Sequence, residues 1–168
     1  MKREDLLANK RNNSVNTYLH RASRKIVDTL AAWQCGTVVI GYNEGWKQEY
    51  NLGKRNTQSF VQIPFDTLVK MIAYKAETVG IKVVMTEESY TSKASFFNRD
   101  ALPVYDGNNT GAPHAFTGKR VKRGLYINED GTKINADVNG ALNIIRKVFP
   151  NVQTNGIAGY TSPTRVAI

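Results

Sequence analysis

Two apolar stripes of helical spacing, each followed by a short strand-like run, constrain the fold of this chain more than any other feature. The first stripe, beginning after Ser14, consists of Leu19, Ala22, Ile26, Leu30 and Trp33. The second consists of Phe65, Leu68, Ile72, Ala76 and Val79. Spacings of three and four place each set on one helix face. Gly36 and Gly80 mark the ends of the two helices.

The runs that follow these helices, residues 37–40 and 81–85, are short and apolar, and neither alternates with polar residues. Such runs are typical of strands buried on both faces of a sheet. Helix, strand, helix, strand in this order predicts an α/β fold with parallel strands and covering helices.

Weaker patterns divide the rest of the chain. We expect a polar, frayed segment at 1–13, an αβαβ part at 14–93, a loop-rich insertion at 94–134, a last helix at 135–150 and a tail at 151–168. Asp130-Gly131 predicts a hairpin turn between runs 124–127 and 132–135. The last helix has Asp137 as its expected N-cap and Pro150 at its end. Its apolar stripe consists of Ala141, Leu142, Ile145 and Val148 or Phe149.

Charge and cysteine content limit the classes of function. Lys and Arg total 23 against 14 Asp and Glu, a net charge of +9, which favours a polyanionic partner such as nucleic acid. Cys35 is the single cysteine, so an internal disulfide or an all-thiolate zinc site is excluded, and we expect no zinc. No apolar run reaches the roughly 20 residues that span a bilayer, and we expect a cytoplasmic protein without a membrane partner.

Two basic clusters are candidate nucleic-acid contacts. The first lies after the first strand and comprises Trp46, Lys47, Lys54 and Arg55. The second precedes the hairpin and comprises Lys119, Arg120, Lys122 and Arg123. Cations near aromatic rings suit phosphate contact with base stacking, although each cluster is equally compatible with a solvated loop.

Carboxylates at the ends of predicted elements are the candidate catalytic groups. Glu87 and Glu88 follow the second strand, and ligands of open parallel sheets bind outside the strands' carboxyl ends. Asp137 begins the last helix. If these carboxylates meet at the carboxyl ends of the strands, they could hold Mg²⁺ for phosphodiester cleavage. The alternative is that Asp137 only caps its helix and that one of the glutamates is solvated.

The stretches 87–93 and 135–144 resemble the C-terminal half of the TnpB (OrfB) proteins of bacterial insertion sequences. The residues around Trp46, Leu52-Gly53-Lys54 and Ile63-Pro64-Phe65 resemble them too, so the likeness runs from about Tyr18 to Phe149. It implies a transposase-related, RNA-guided DNA nuclease with a RuvC-type domain of RNase H-like fold and usually a zinc ribbon. DNA is then the expected partner, with a guide RNA as a further candidate.

The chain departs from that family at three points. The resemblance places the family's first catalytic Asp on a strand ahead of everything present here. It places the family's catalytic Glu directly after the strand 37–40, where this chain has Gly41. It places the family's zinc-ribbon cysteines between Ala94 and Lys133, a range that contains no cysteine in this chain. By this resemblance, only Asp137 matches a catalytic position of the family. It would be a Mg²⁺ ligand if the site were completed. Glu87 or Glu88, or more weakly Glu44, is a candidate replacement for the Glu.

These departures leave several interpretations open. The chain is either part of a Mg²⁺-dependent nuclease completed from elsewhere or a nuclease-dead module that only binds nucleic acid. A generic basic RNA-binding domain is a third interpretation, against which the residues around Asp137 argue. We expect an incomplete RNase H-like sheet whose open strand edge favours self-association or pairing with a missing N-terminal portion.

Overall fold

The computed structural model describes residues 3–42, 64–104 and 114–153. In chain order, the elements of these residues are α1 (Arg3–Ala32), β1 (Thr37–Gly41), α2 (Phe65–Thr78), β2 (Lys82–Thr86), β3 (Lys119–Lys122), β4 (Leu125–Ile127), β5 (Lys133–Ile134) and α3 (Ala136–Val148). Two compact units divide them. The described part of the first comprises 3–38 and 64–84, and that of the second 39–42, 85–104 and 114–153.

In the first unit, α1 packs against α2. The helix predicted to begin near Ser14 begins at Arg3, so the expected frayed segment is helical. Its buried residues are Leu19, Ala22, Ser23 and Val27. The predicted stripe was therefore wrong toward its end, where Trp33 is 74% exposed. Small Ser23 fits the interface because its hydroxyl donates to Leu19 O at 2.7 Å, which satisfies the polar group locally.

β1 and β2 form a two-stranded parallel sheet, as predicted. Lys82 N donates to Gly36 O at 3.0 Å near the start of the strands, and Tyr42 N donates to Thr86 O at 2.8 Å at their end. The expectation of full burial was wrong, since every residue of β1 is half-buried. With two strands among the described residues, each strand has one edge without a partner strand, which leaves it partly accessible to solvent.

The second unit contains an antiparallel sheet in the order β3-β4-β5. The predicted hairpin is confirmed: β4 pairs with β5, and Gly131 makes the turn at a φ of +82°, with its N–H donating to Asn128 O. The prediction of a loop-rich insertion missed β3, which pairs with β4 through an irregularity between Arg120 and Lys122. Its sequence is mostly charged and shows no apolar alternation, so strand periodicity could not reveal it.

The core of the second unit joins this sheet to α3 and consists of Phe96, Tyr126, Ile134, Ala136 and Leu142. The predicted stripe of α3 was partly wrong, because Ala141 and Phe149 are exposed whereas Asn139, Asn143 and Arg146 are buried. Backbone carbonyl groups of the segment 91–100 accept hydrogen bonds from all three of these polar side chains. Asn139, for example, donates to Ala94 O at 2.8 Å and accepts from Phe96 N at 3.1 Å.

Candidate nucleic-acid interface

Asp137 lies in the first turn of α3 but does not cap it. The N-cap is Asn135, whose side-chain oxygen accepts from Asp137 N at 2.9 Å and from Val138 N at 3.1 Å. The predicted capping role of Asp137 was therefore wrong, and its carboxylate is left for other contacts. That side chain is 77% exposed and receives a hydrogen bond from Arg120 Nη2 at 3.3 Å. A carboxylate in this position also interacts favourably with the helix dipole.

β3 is an edge strand of its sheet and carries most of the second predicted basic cluster. Lys119, Arg120 and Lys122 are exposed on the strand, and exposed Arg123 follows it. Through the contact between Arg120 and Asp137, the structure brings this cluster to the start of α3. The sequence predicted both features but contained no signal that they are neighbours, because they belong to elements that pair only in the folded chain.

Glu87 is engaged by a cation. Its carboxylate forms an ion pair with Lys147 of α3 and accepts from Ser89 N at 2.7 Å. Burial by itself raises the pKa of Glu87, but the hydrogen bonds from Lys147 and Ser89 outweigh that effect, and the net pKa is lowered. The Lys147 side chain is almost fully buried, so it requires this counter-charge. The contacts of Glu87 therefore fit a structural ion pair.

Glu88 lies beside Gly41, the last residue of β1. A side chain at position 41 would begin 3.0 Å from Glu88 Oε2 and 2.7 Å from Ile144 Cδ1. The Glu88 carboxylate therefore lies next to the space that a residue-41 side chain would enter. Burial and the neighbouring charge of Glu87 raise the pKa of Glu88.

The candidate carboxylates do not form a complete metal centre in the part of the chain that the structure describes. Residues 3–42, 64–104 and 114–153 contain no group of three or more His, Cys, Asp or Glu side chains placed to hold an ion. The carboxylate oxygens of Asp137 and Glu88 are of the right chemistry for Mg²⁺. The first basic cluster (Trp46, Lys47, Lys54 and Arg55), together with Glu44, lies outside the described residues.

A polar cluster that sequence reasoning missed organises the predicted insertion. The carboxylate of buried Asp100 accepts from Ser95 N at 2.7 Å, Thr117 N at 3.0 Å and Thr117 Oγ1 at 2.7 Å. Its main-chain carbonyl accepts from Arg146 Nη2 at 2.6 Å. Asp100 thus joins a turn, the approach to β3 and the end of α3. Its position in an aperiodic, polar stretch gave no local signal of burial.

Comparison with known proteins places these features in a family context. Residues 65–144 match the model of the "Cas12f1-like, TNB domain" family. The chain is 29% identical over 141 residues to the CRISPR-associated endodeoxyribonuclease Cas12f1 of Sulfoacidibacillus thermotolerans, covering 83% of this chain and 28% of that protein. It is 27% identical over 135 residues to the TnpB-like protein ORF457 of Acidianus two-tailed virus, covering 79% and 24%. The chain is thus similar in sequence to TnpB-type and Cas12f1 proteins.

The fold is also similar to that of a Cas12f1 chain. A Cas12f1 chain from a cryo-EM structure of the Cas12f1–sgRNA–target DNA complex matches with a TM-score of 0.56 and 20% identity, over 83% of this chain and 36% of that one. The resemblance to TnpB seen around Asp137 is thereby confirmed, as is the α/β class. The chain spans about a quarter of the length of the curated relatives it matches. No helix in the described ranges has the length and apolar character needed to cross a membrane.

Proposed function

We propose that this TnpB-type chain is a nucleic-acid-binding part of an RNA-guided nuclease. Its RNase H-like domain is then incomplete by itself, and strand β3 binds the phosphates of the DNA. The observation that carries the proposal is the 3.3 Å contact between Arg120 of the basic strand and Asp137, which matches the family's catalytic position. A backbone bound along β3 would pass beside Asp137.

The physical chemistry of β3 suits phosphate contact. Its cations lie on an exposed edge strand of the three-stranded sheet. No further strand of the described sheet pairs with this edge or covers the cations. Arg120 is 41% exposed, and an exposed ion pair of this kind contributes only about 0–1 kcal/mol. Its guanidinium can therefore exchange the carboxylate for a phosphate at little cost, and bidentate geometry favours that exchange.

The test is a fluorescence-anisotropy titration of the chain with a short DNA duplex over a range of salt concentrations. The variant Lys119→Gln/Lys122→Gln/Arg123→Gln retains Arg120, so that Asp137 keeps its partner. We expect the slope of log affinity against log salt to fall by about 2.7, from about 0.9 per lost phosphate contact. The matched control is Lys70→Gln/Lys82→Gln/Lys93→Gln, three exposed lysines outside the β3-β4-β5 sheet. No binding at low salt, or equal slopes for both variants, would contradict the proposal.

We further propose that the chain does not cleave DNA by itself. In a completed site Asp137 would hold Mg²⁺, which would polarise the scissile phosphate. The described residues supply no three-carboxylate group, so this site would need at least one carboxylate from another segment or chain. Of the two glutamates, Glu88 is the better replacement for the family's Glu, because its carboxylate lies beside Gly41, the position that the resemblance gives to that Glu.

Joining this chain to the N-terminal part of the Cas12f1 relative would test the assignment of Glu88. We expect Glu88→Gln to abolish Mg²⁺-dependent cleavage by the fusion protein. Glu87→Gln is the matched control and should retain cleavage if the protein remains folded. Undiminished cleavage by the Glu88 variant would refute the assignment, without affecting the proposal that β3 binds DNA.

A further inference from the structure

A cleft in the second unit of the fold is lined by cations that the proposed function does not use. Its volume of about 510 Å³ lies within the range of roughly 300–1,000 Å³ that is typical of small-molecule sites. The last turn of α3 contributes Arg146 and Lys147 to its wall, and the segment before β3 contributes Arg99. Lys147 is neutralised inside the cleft, because it forms an ion pair with Glu87, another lining residue.

The two arginines have no such counter-charge in the part of the chain that the structure describes. Arg99 donates to Pro150 O at 2.8 Å and to Val152 O at 3.1 Å. Arg146, which is buried, donates to Asp100 O at 2.6 Å. Main-chain carbonyls accept hydrogen bonds but carry no net charge, and neither arginine forms an ion pair within residues 3–42, 64–104 and 114–153. Two positive charges of the cleft are therefore left without an ion-pair partner.

The two guanidiniums are close enough to repel each other. Burial lowers the pKa of Arg146, the charge of Arg99 lowers it further, and the charge of Asp100 raises it. The Asp100 carboxylate offsets only part of the repulsion, because it already accepts three hydrogen bonds from other residues. The Phe96 ring, whose centroid lies 5.8 Å from the Arg146 guanidinium, adds a weak attraction. Each guanidinium has five N–H donors, so several remain for an anion in the cleft.

Aliphatic side chains line the same cleft. Leu102 is half-buried, Val104 is 64% exposed, and Pro150 is exposed. Covering such groups with a ligand removes apolar surface from water, which favours binding. A cleft that combines guanidiniums with aliphatic groups suits an anion that carries an organic group.

We propose that this cleft binds a small phosphate monoester, with its phosphate held by Arg99 and Arg146 and its organic group against Leu102 and Val104. A phosphate monoester carries a charge of about −1.5 to −2 at pH 7, which compensates two guanidiniums, and its oxygens match their forked donors. A phosphodiester carries a single negative charge. The inference therefore goes beyond the proposed nucleic-acid binding, since the nucleic-acid backbone consists of diesters.

The test is isothermal titration calorimetry of the full chain with phenyl phosphate, at neutral pH and an ionic strength of about 0.15 M, which screens exposed charges. We expect saturable binding at one site, with a dissociation constant of about 1 mM or below. Methyl phenyl phosphate, the matching diester, should bind about tenfold more weakly. Arg99→Gln should weaken phenyl phosphate binding about tenfold, because a charge-assisted hydrogen bond is lost.

A second variant places a negative charge in the cleft without removing a hydrogen-bonding side chain. Val104→Asp should weaken the binding of phenyl phosphate by repulsion, and it remains decisive if Arg99→Gln disturbs folding, which circular dichroism would reveal. Val79→Asp is the matched control, because Val79 is also exposed but belongs to the first unit, and its affinity should stay within about twofold of the wild type.

Three results would overturn the proposal. The first is the absence of saturable binding up to about 10 mM phenyl phosphate. The second is equal affinity for the monoester and the diester, or equal weakening by Val104→Asp and Val79→Asp, which would indicate attraction by overall charge. The third is loss of phenyl phosphate binding in the β3 variant Lys119→Gln/Lys122→Gln/Arg123→Gln. That result would assign the anion to β3, whereas normal binding by this variant separates the cleft from the proposed DNA contact.

Discussion

At the scale of single residues, Gly41 shows how closely neighbouring side chains approach the end of β1. A β-carbon at this position would lie 2.7 Å from Ile144 Cδ1, a distance that real contacts essentially never show. Any side chain at position 41 therefore requires the Ile144 side chain to shift.

Gly41→Ala should therefore destabilise the chain by about 1–3 kcal/mol through overpacking. The double variant with Ile144→Ala should cost less than the sum of the two single changes, because the truncation removes both close side-chain atoms. Urea denaturation of the four proteins measures this coupling. Gly36→Ala is the matched control, since no atom lies within 4 Å of its β-carbon position. Equal effects at positions 36 and 41 would contradict the steric explanation.

At the scale of elements, Asp100 joins segments that periodicity left unassigned. It accepts hydrogen bonds from Ser95 and Thr117, and its carbonyl accepts from Arg146, so that a turn, the approach to β3 and the end of α3 are held together. Buried Tyr126 adds a further link, donating to Lys93 O at 2.8 Å, and burial and the charge of Asp100 raise its pKa to about 12. Hydrogen bonds to a buried carboxylate thus organise the segment that was predicted to be a loop-rich insertion.

Asp100→Ala should lower the stability of the chain by about 2–4 kcal/mol, because it leaves buried donors without an acceptor.

Treatment with a zinc chelator should leave the melting temperature of the wild-type chain unchanged, since we expect no zinc. Differential scanning calorimetry measures both effects, and Asp28→Ala, at an exposed carboxylate, is the control. A chelator-induced fall in melting temperature would show that a metal has a structural role.

At the scale of the whole molecule, the described parallel sheet has two strands. Strands with open edges pair readily with other chains. We predict that the isolated chain self-associates and that coexpression with the N-terminal part of the Cas12f1 relative reduces this. Sedimentation velocity over a concentration series measures the association. A monodisperse, cooperatively melting monomer would contradict the prediction.

The sequence by itself determined the elements whose side chains repeat regularly or whose turn requires a particular residue. The α1–β1–α2–β2 order, the hairpin at Gly131 and the relationship seen around Asp137 were all derived from it. Local spacing and turn chemistry suffice for these features, because the interactions that specify them connect neighbours in the chain.

Only the tertiary structure decided which side chains meet. It paired Glu87 with Lys147, set Glu88 beside Gly41 and brought Arg120 to Asp137. It also buried Asn139 and Asn143 on a face where an apolar stripe was expected, because carbonyl groups of the segment 91–100 accept their hydrogen bonds. Such contacts join residues far apart in the chain, and polar burial depends on partners that no local pattern contains.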